Sequence, residues 1–187
     1  MYHLIKNQQE MNQFNAIFKE CFVEKGYETE TFQGKALRYL IHNKYGKNAG
    51  TLELIPYAPK SGLTTIEDMF AFSTLPQLKE ISHDRVYEID KLAVLETERK
   101  NGTLDNMMGT IFRVAKEMNI DMYVALINPM LFRAVKMVYR MPIEKCGKII
   151  RTEHYDIQPM IFHVKKALED PSWDTQGYLK KWLYEDK

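Results

Sequence analysis

The sequence predicts a single domain of the α/β (α+β) class, and three observations predict it. The run Val86–Val94 sets the apolar side chains Ile89, Leu92 and Val94 among β-branched neighbours and stops at a polar, charged turn, which reads as a strand. Behind that turn, Leu104–Met118 places Met107, Met108, Ile111, Val114, Ala115 and Met118 at intervals of three and four, one apolar helix face. Two further strand-like runs, Ala36–Asn43 and Gly50–Pro56, flank the tight turn Tyr45-Gly46-Lys47-Asn48 and make an antiparallel hairpin.

The remaining elements fall in order around these. Tyr2–Ile5 is a short strand, and Gln8–Glu24 is a helix whose Met11, Phe14, Ile17, Phe18, Cys21 and Phe22 keep helical spacing. A loop about Gly26–Gly34 precedes the hairpin. After it, the polar stretch Tyr57–Gly62 leads to a helical segment over Thr65–Phe72, with Pro76 interrupting it. Beyond the Leu104–Met118 helix come the strand Met122–Ile127 and a helix from Pro129 through about Met137, opened by a proline that suits a first helical turn. Two last strands are predicted near Ile143–Arg151 and Ile157–Val164, and a short helix over Asp174–Tyr184. No internal repeat, low-complexity block or linker divides the 187 residues, so residues 1–187 form one domain with a core over about 1–165 and a helical tail over about 172–187.

Composition narrows the functional classes. An apolar share of 45% with 27% charged residues is ordinary for a globular protein able to bury a sizeable core. Lys and Arg total 26 against 25 for Asp and Glu, which leaves no global field for nucleic acid or an anionic membrane and no basic recognition helix for a DNA-binding regulator. No apolar run approaches membrane-spanning length, and Met1–Lys6 turns polar at once, unlike a secretory leader. The two cysteines, Cys21 in a helix and Cys146 in a polar turn, make no disulfide framework, so a reducing, cytoplasmic setting is expected. No residues have metal-ligand spacing, so no metal is expected.

Residues 99–103 lie at a helix N-terminus, where backbone N–H groups lack partners and the macrodipole adds partial positive charge, so a phosphate would be stabilised there. Gly102 lets the backbone approach a ligand closely, and Arg99 and Lys100 bring full charges. A solvated capping turn has the same composition. The spacing Arg99-x-x-Gly102-x-Leu104 after Leu92-Ala93-Val94 resembles the Q/R-x-x-G-x-G/A loop of the GNAT acyltransferase superfamily and its L-x-V strand end, with Leu104 in place of the last small residue. Glu88-Ile89-Asp90-Lys91-Leu92-Ala93-Val94 further resembles the E-x-S-R-F-x-V strand of the acyl-homoserine-lactone (autoinducer) synthases and N-acyl amino acid synthases, with Asp90 and Lys91 replacing Ser and Arg.

The resemblance implies a GNAT-like mixed, mostly antiparallel central sheet flanked by helices, with parallel fourth and fifth strands that splay apart. It implies an N-acyltransferase whose donor is acetyl-CoA, a longer acyl-CoA or the phosphopantetheine of an acyl carrier protein, and whose acceptor is a small-molecule amine. Leu92, Ala93 and Val94 would hydrogen-bond the donor arm as an added strand, and Arg99, Lys100, Asn101, Gly102, Thr103 and Leu104 would cradle its phosphates. Asn128 stands where the superfamily often has an asparagine facing the donor, and it equally suits an N-cap for the helix opened by Pro129. Glu88 matches the superfamily's glutamate base, the bland alternative being an ion pair with Lys91 or Lys79. The superfamily's tyrosine acid falls at Val135 here, which leaves Tyr139, one turn further, as the acid or as a packing residue.

Other features divide between function and packing. Met107, Met108, Met118, Met122, Met130, Met137 and Met141 either line an acyl tunnel or fill the core. Arg133, Lys136, Arg140, Lys145, Lys148 and Arg151 form a local basic patch suited to coenzyme A phosphates or an acyl carrier protein, or simply to water. His42, His154 and Tyr155 are unranked acceptor-pocket residues. The tail's Tyr178, Leu179, Trp182 and Leu183 share one helix side, which buries against the domain, covers a tunnel or forms a homodimer contact. The alternative to an enzyme is a GNAT-like sensor that binds an acyl thioester or another ligand without turnover.

Overall fold

The computed structural model describes residues 2–23, 32, 34–61 and 64–184, so most of the loop predicted about Gly26–Gly34, along with Gly62, lies outside the described residues. The strands are β1 Tyr2–Leu4, β2 Leu37–His42, β3 Asn48–Pro56, β4 Val86–Val94, β5 Met122–Ile127, β6 Ile143–Lys145, β7 Ile150–Arg151 and β8 Asp156–Phe162. The helices are α1 Gln8–Val23, α2 Pro76–Lys79, α3 Thr103–Met118, α4 Pro129–Val138, α5 Val164–Glu169 and α6 Tyr178–Tyr184. One sheet runs in the order β1-β2-β3-β4-β5-β8-β6, with β7 also on β8. Every pairing is antiparallel except β4 with β5.

The helices begin and end where local chemistry satisfies their terminal groups. Asn7 accepts from the Glu10 N–H at 3.0 Å, and the Glu10 carboxylate accepts from the Lys6 N–H at 2.6 Å, so the start of α1 is closed from both sides. Asn119, left-handed at φ 56°, ends α3. Asp174 accepts from the N–H groups of Tyr178 and Leu179 at 2.8 and 2.7 Å and so starts α6.

Strand alternation sorts the core onto two faces. Tyr39, Ile41, Leu52, Leu54, Ile89, Tyr123, Ala125, Met160 and Phe162 face α3, α4, α5 and α6. On the other face, Leu40 and Ala93 pack under Phe14, Ile17, Phe18 and Cys21 of α1, while Val86, Met122, Val124 and Ile161 pack under Tyr57, Ile66, Phe72 and Leu78. The tail helix α6 closes onto α3, with Trp182 lying where Gly109 carries no side chain; a Cβ there would stand 3.1 Å from the indole.

Four expectations are corrected. Thr65–Phe72 is not a helix but a turn tied by side chains, with Glu67 accepting from the Tyr57 hydroxyl at 2.5 Å and from the Ser73 N–H at 3.1 Å. Pro76 then opens α2 at its first position instead of interrupting a helix. The predicted strand Ile143–Arg151 is two short strands, because the chain breaks off the sheet at Cys146–Ile149, where the Gln158 amide donates to the Gly147 carbonyl at 2.8 Å. The last strand stops at Phe162, and Val164 begins α5.

Candidate active site

The parallel pairing of β4 with β5 covers only Val86↔Met122, Tyr87↔Tyr123 and Glu88↔Val124, although β4 runs on to Val94 and β5 to Ile127. Beyond Glu88 the two strands diverge, which opens the splay that the resemblance implied. Which backbone groups of β4 face this gap follows from its pairing with β3. Leu95 N–H bonds the Ala49 carbonyl at 3.0 Å and Ala93 pairs with Thr51, so Leu95 and Ala93 turn their polar groups to β3 while Leu92 and Val94 turn theirs to the gap. A Cβ on Gly50 would stand 2.7 Å from the Ala93 oxygen, consistent with that direction. Of these three residues at the end of β4, Ala93 pairs with Thr51 while Leu92 and Val94 turn their backbone groups away from β3.

Between Asp90 and Ala93 the strand carries one residue too many: Glu53↔Asp90 and Thr51↔Ala93 are two apart on β3 and three apart on β4. The extra residue is Lys91, at φ 44°. Its N–H donates to the Asp90 carboxylate at 2.7 Å, and its carbonyl accepts from the buried Thr51 hydroxyl at 2.8 Å. Its ammonium, with 5% of the side chain exposed, pairs closely with Glu53 and lies 3.3 Å from Asp90. Arg38 pairs with the same Glu53. The bulge also re-phases the side chains, so that Glu88, Asp90, Lys91 and Ala93 lie toward the α1 side while Leu92 and Val94 join the α3 side.

Glu88 sits at the root of the gap. It is 0% exposed, and its Oε2 accepts from the Thr65 N–H at 3.2 Å and the Thr65 hydroxyl at 2.9 Å. Its Oε1 is buried with no hydrogen-bond partner among the described residues. Burial pushes the carboxyl up to about 7, against the two Thr65 bonds and helped by the nearby Asp90 and Glu67 charges. The ion pair considered with Lys91 or Lys79 is absent: Lys91 is engaged by Glu53 and Asp90. Tyr57, not singled out from the sequence, lies on this face, and Thr65 reaches Glu88 from 23 residues away without a local signal.

The turn between β4 and α3 is built around Glu98. Its carboxylate accepts from the side chains of Asn43 and Asn101 at 2.9 Å each and from Lys47 at 3.2 Å, which hold it well below the usual range, at about 2. Asn101 also accepts from the Lys44 N–H at 2.8 Å, and Thr103 donates its hydroxyl to the Glu98 carbonyl at 3.2 Å. Asn101 and Thr103 therefore spend their side chains on the turn, and Leu104 packs on the core. Gly102 takes φ 78° at the N-cap, and the first N–H groups of α3 have no acceptor inside the helix. Arg99 has only a 3.5 Å exposed pairing with Glu96, and Lys100 is exposed.

Other predicted residues lie elsewhere. The Asn128 side chain accepts from the Met130 N–H at 2.9 Å as the N-cap of α4. Tyr139 is buried on the α3 side, ring to ring with Tyr178 at 5.0 Å and Trp182 at 5.4 Å, so the sheet separates it from Glu88. Met107, Met108, Met122 and Met141 are core, whereas Met130 and Met137 are each 76% exposed. His154 and Tyr155 line a cleft of about 520 Å³ with Asn128, Met130 and Arg133, and His42 ends β2. Among the described residues, no group of His, Cys, Asp or Glu is placed to hold a metal ion, and no helix is long and apolar enough to cross a membrane.

No family model and no curated protein matches the sequence. Solved structures do resemble the fold. FeeM, an N-acyl amino acid synthase from uncultured soil microbes, is 16% identical with a TM-score of 0.69, over 92% of each chain. BjaI, a CoA-dependent acyl-homoserine lactone synthase solved with SAM and isopentyl-CoA, is 12% identical with a TM-score of 0.65, over 97% of this chain and 87% of its own. An acetyltransferase of the GNAT family from Staphylococcus aureus Mu50 is 10% identical with a TM-score of 0.56, over 88% and 99%. With a mixed sheet, parallel and diverging β4 and β5, and a tight turn leading from β4 into α3, the chain has the GNAT fold.

Proposed function

We propose that the protein is an N-acyltransferase that moves an acyl group from a thioester donor to a small amine by direct attack. The observation that carries this is the buried, unpartnered Glu88 Oε1 at the root of the β4/β5 gap. The donor arm lies in the gap as an added strand against Leu92 and Val94, its phosphates at the α3 N-terminus. The Leu92 N–H, turned to the gap, donates to the thioester oxygen as negative charge develops there. The acceptor amine enters from the Glu88 face and gives a proton to Oε1 as it attacks the thioester carbon. Starting from a neutral amine, the one proton lost by nitrogen is the one the departing thiolate needs, so the balance requires no second titrating side chain. Tyr139 then serves packing.

Acyl-CoA is the donor class tested first, since BjaI is CoA-dependent, and α-amino acids are the first acceptors because FeeM is an N-acyl amino acid synthase. The experiment is release of free thiol from acyl-CoA of increasing chain length, and from acyl carrier protein, with and without amine. Acceptor-dependent release supports the enzyme; bound donor with no release in any combination supports the sensor. If Met130 and Met137, both solvent-exposed in the free protein, close over an acyl chain, affinity rises with length by up to about 0.8 kcal/mol per buried CH₂; equal affinity across the panel removes them from the site.

The phosphate turn has its own check. Gly102→Val forces a branched side chain into a left-handed backbone and fills the approach to the helix N-terminus, and Arg99→Ala removes a charge. Both weaken CoA binding by calorimetry, and Arg99→Ala also flattens its salt dependence. Gly46, left-handed at φ 80° in the β2–β3 turn with open space around it, is the control: Gly46→Ala costs about 1–2 kcal/mol of stability and leaves CoA affinity unchanged.

A further inference from the structure

Lys91 combines two features that each cost stability. It is a non-glycine residue with a left-handed backbone, and it buries an ammonium. A sheet that needed only stability would be served by an apolar residue in regular alternation. Instead, every polar group of Lys91 is taken by a neighbour on the α1 side: its N–H by Asp90, its carbonyl by Thr51 and its ammonium by Glu53 and again Asp90. Glu53 is 0% exposed and is held from the other side by Arg38. The set reaches across β2, β3 and β4 and fixes one thing in common, the conformation of the inserted residue.

That residue immediately precedes Leu92, whose backbone faces the gap. We propose that Lys91, Glu53, Asp90 and Thr51 are positioning residues: a brace that locks the β4 bulge so that the Leu92 N–H meets the thioester oxygen of the donor. The proposal rests on the acyltransferase reading. None of the four touches the donor; they act through the backbone of β4. The Thr51 hydroxyl is the part most readily removed, because valine has nearly its shape and lacks only the donor to the Lys91 carbonyl.

The test separates the contact with the carbonyl from binding as a whole. It compares an acyl-CoA thioester with the S-alkyl-CoA thioether of the same chain length, which has no carbonyl. One hydrogen bond at the carbonyl makes the wild-type protein bind the thioester roughly five- to tenfold more tightly. In Thr51→Val and Lys91→Met the ratio falls to about one while thioether affinity stays at the wild-type value, and kcat falls with little change in the acceptor KM. Thr51→Ser restores the ratio. If Lys91→Met does not fold, Thr51→Val decides, its melting temperature confirming an intact fold. A wild-type ratio of about one, or variants that keep the wild-type ratio, overturns the brace alone. A wild-type protein that binds neither donor overturns the acyltransferase reading as well.

Discussion

Glu88→Gln is expected to lower kcat about 100- to 10,000-fold while leaving donor affinity within a factor of about two, because a general base is worth that much and Gln still accepts from Thr65. In the wild-type protein, kcat/KM should rise with pH through about 7, where Glu88 ionises, and level off above it. Stability should move the other way. Below the ordinary carboxyl value of 4.5 the group is protonated whether the chain is folded or not. Between there and about 7 only the folded protein holds the proton, so folding stability falls as pH climbs through this window. Above it, the native state carries a buried carboxylate at a total cost of roughly 3 kcal/mol. Denaturant melts at pH 5 and pH 8 measure this directly: the wild type loses stability between the two, and Glu88→Gln lacks that part of the slope. Equal slopes with unimpaired turnover would remove Glu88 from the chemistry.

Trp182→Ala carries the largest expected effect on stability. The indole is 4% exposed, stacks on Phe112 and Tyr178 at 5.4 Å each, meets Tyr139 edge-on, and donates its N–H to Asp105 at 3.0 Å. Removing it leaves a cavity between α3 and α6 and costs about 3–5 kcal/mol. In a domain of this size that lowers the melting temperature by about 6–20 °C. The loss should be the same at every protein concentration, since the aromatic side of the tail is buried against its own domain. Trp182→Phe keeps most of the packing and loses about 1 kcal/mol for the missing donor. A drop that shrinks as protein concentration rises would place the tail in a contact between copies instead. Asp105 lies in the first turn of α3, next to the turn that leads in from β4, and Lys181 also pairs with it. Loss of the tail should therefore weaken CoA binding in step with stability.

Periodicity made the long elements readable: the apolar rows of α1 and α3, the hairpin, and the β4 strand with its turn. Local side-chain chemistry hid others. Over Thr65–Phe72 the helix-like composition is overridden by Glu67, which ties the segment to Tyr57 and Ser73. The pocket around Glu88 depends on Thr65, and no local pattern connects two residues so far apart in the chain. The bulge did leave a trace. In β4 the apolar residues on the α3 side fall at Ile89, Leu92 and Val94, a spacing of three and then two, which an unbroken strand cannot place on one face. Glu53, a lone acid inside the run Thr51-Leu52-Glu53-Leu54-Ile55, likewise marked a charge that needed a buried partner. For Asn128 the capping role is visible in the structure.

The inserted residue in β4 also sets what kinds of genetic change the strand can absorb. Substitutions at Leu92 or Val94 alter packing by degrees. Loss of a single codon between Ile89 and Leu92 would instead abolish the bulge: Ile89, Leu92 and Val94 would keep their faces in plain alternation, but the inserted residue that Thr51, Glu53 and Asp90 hold in common would be gone. Residue count here is inherited as strictly as residue identity, so lineages carrying this fold should drift in composition along β4 while holding its length.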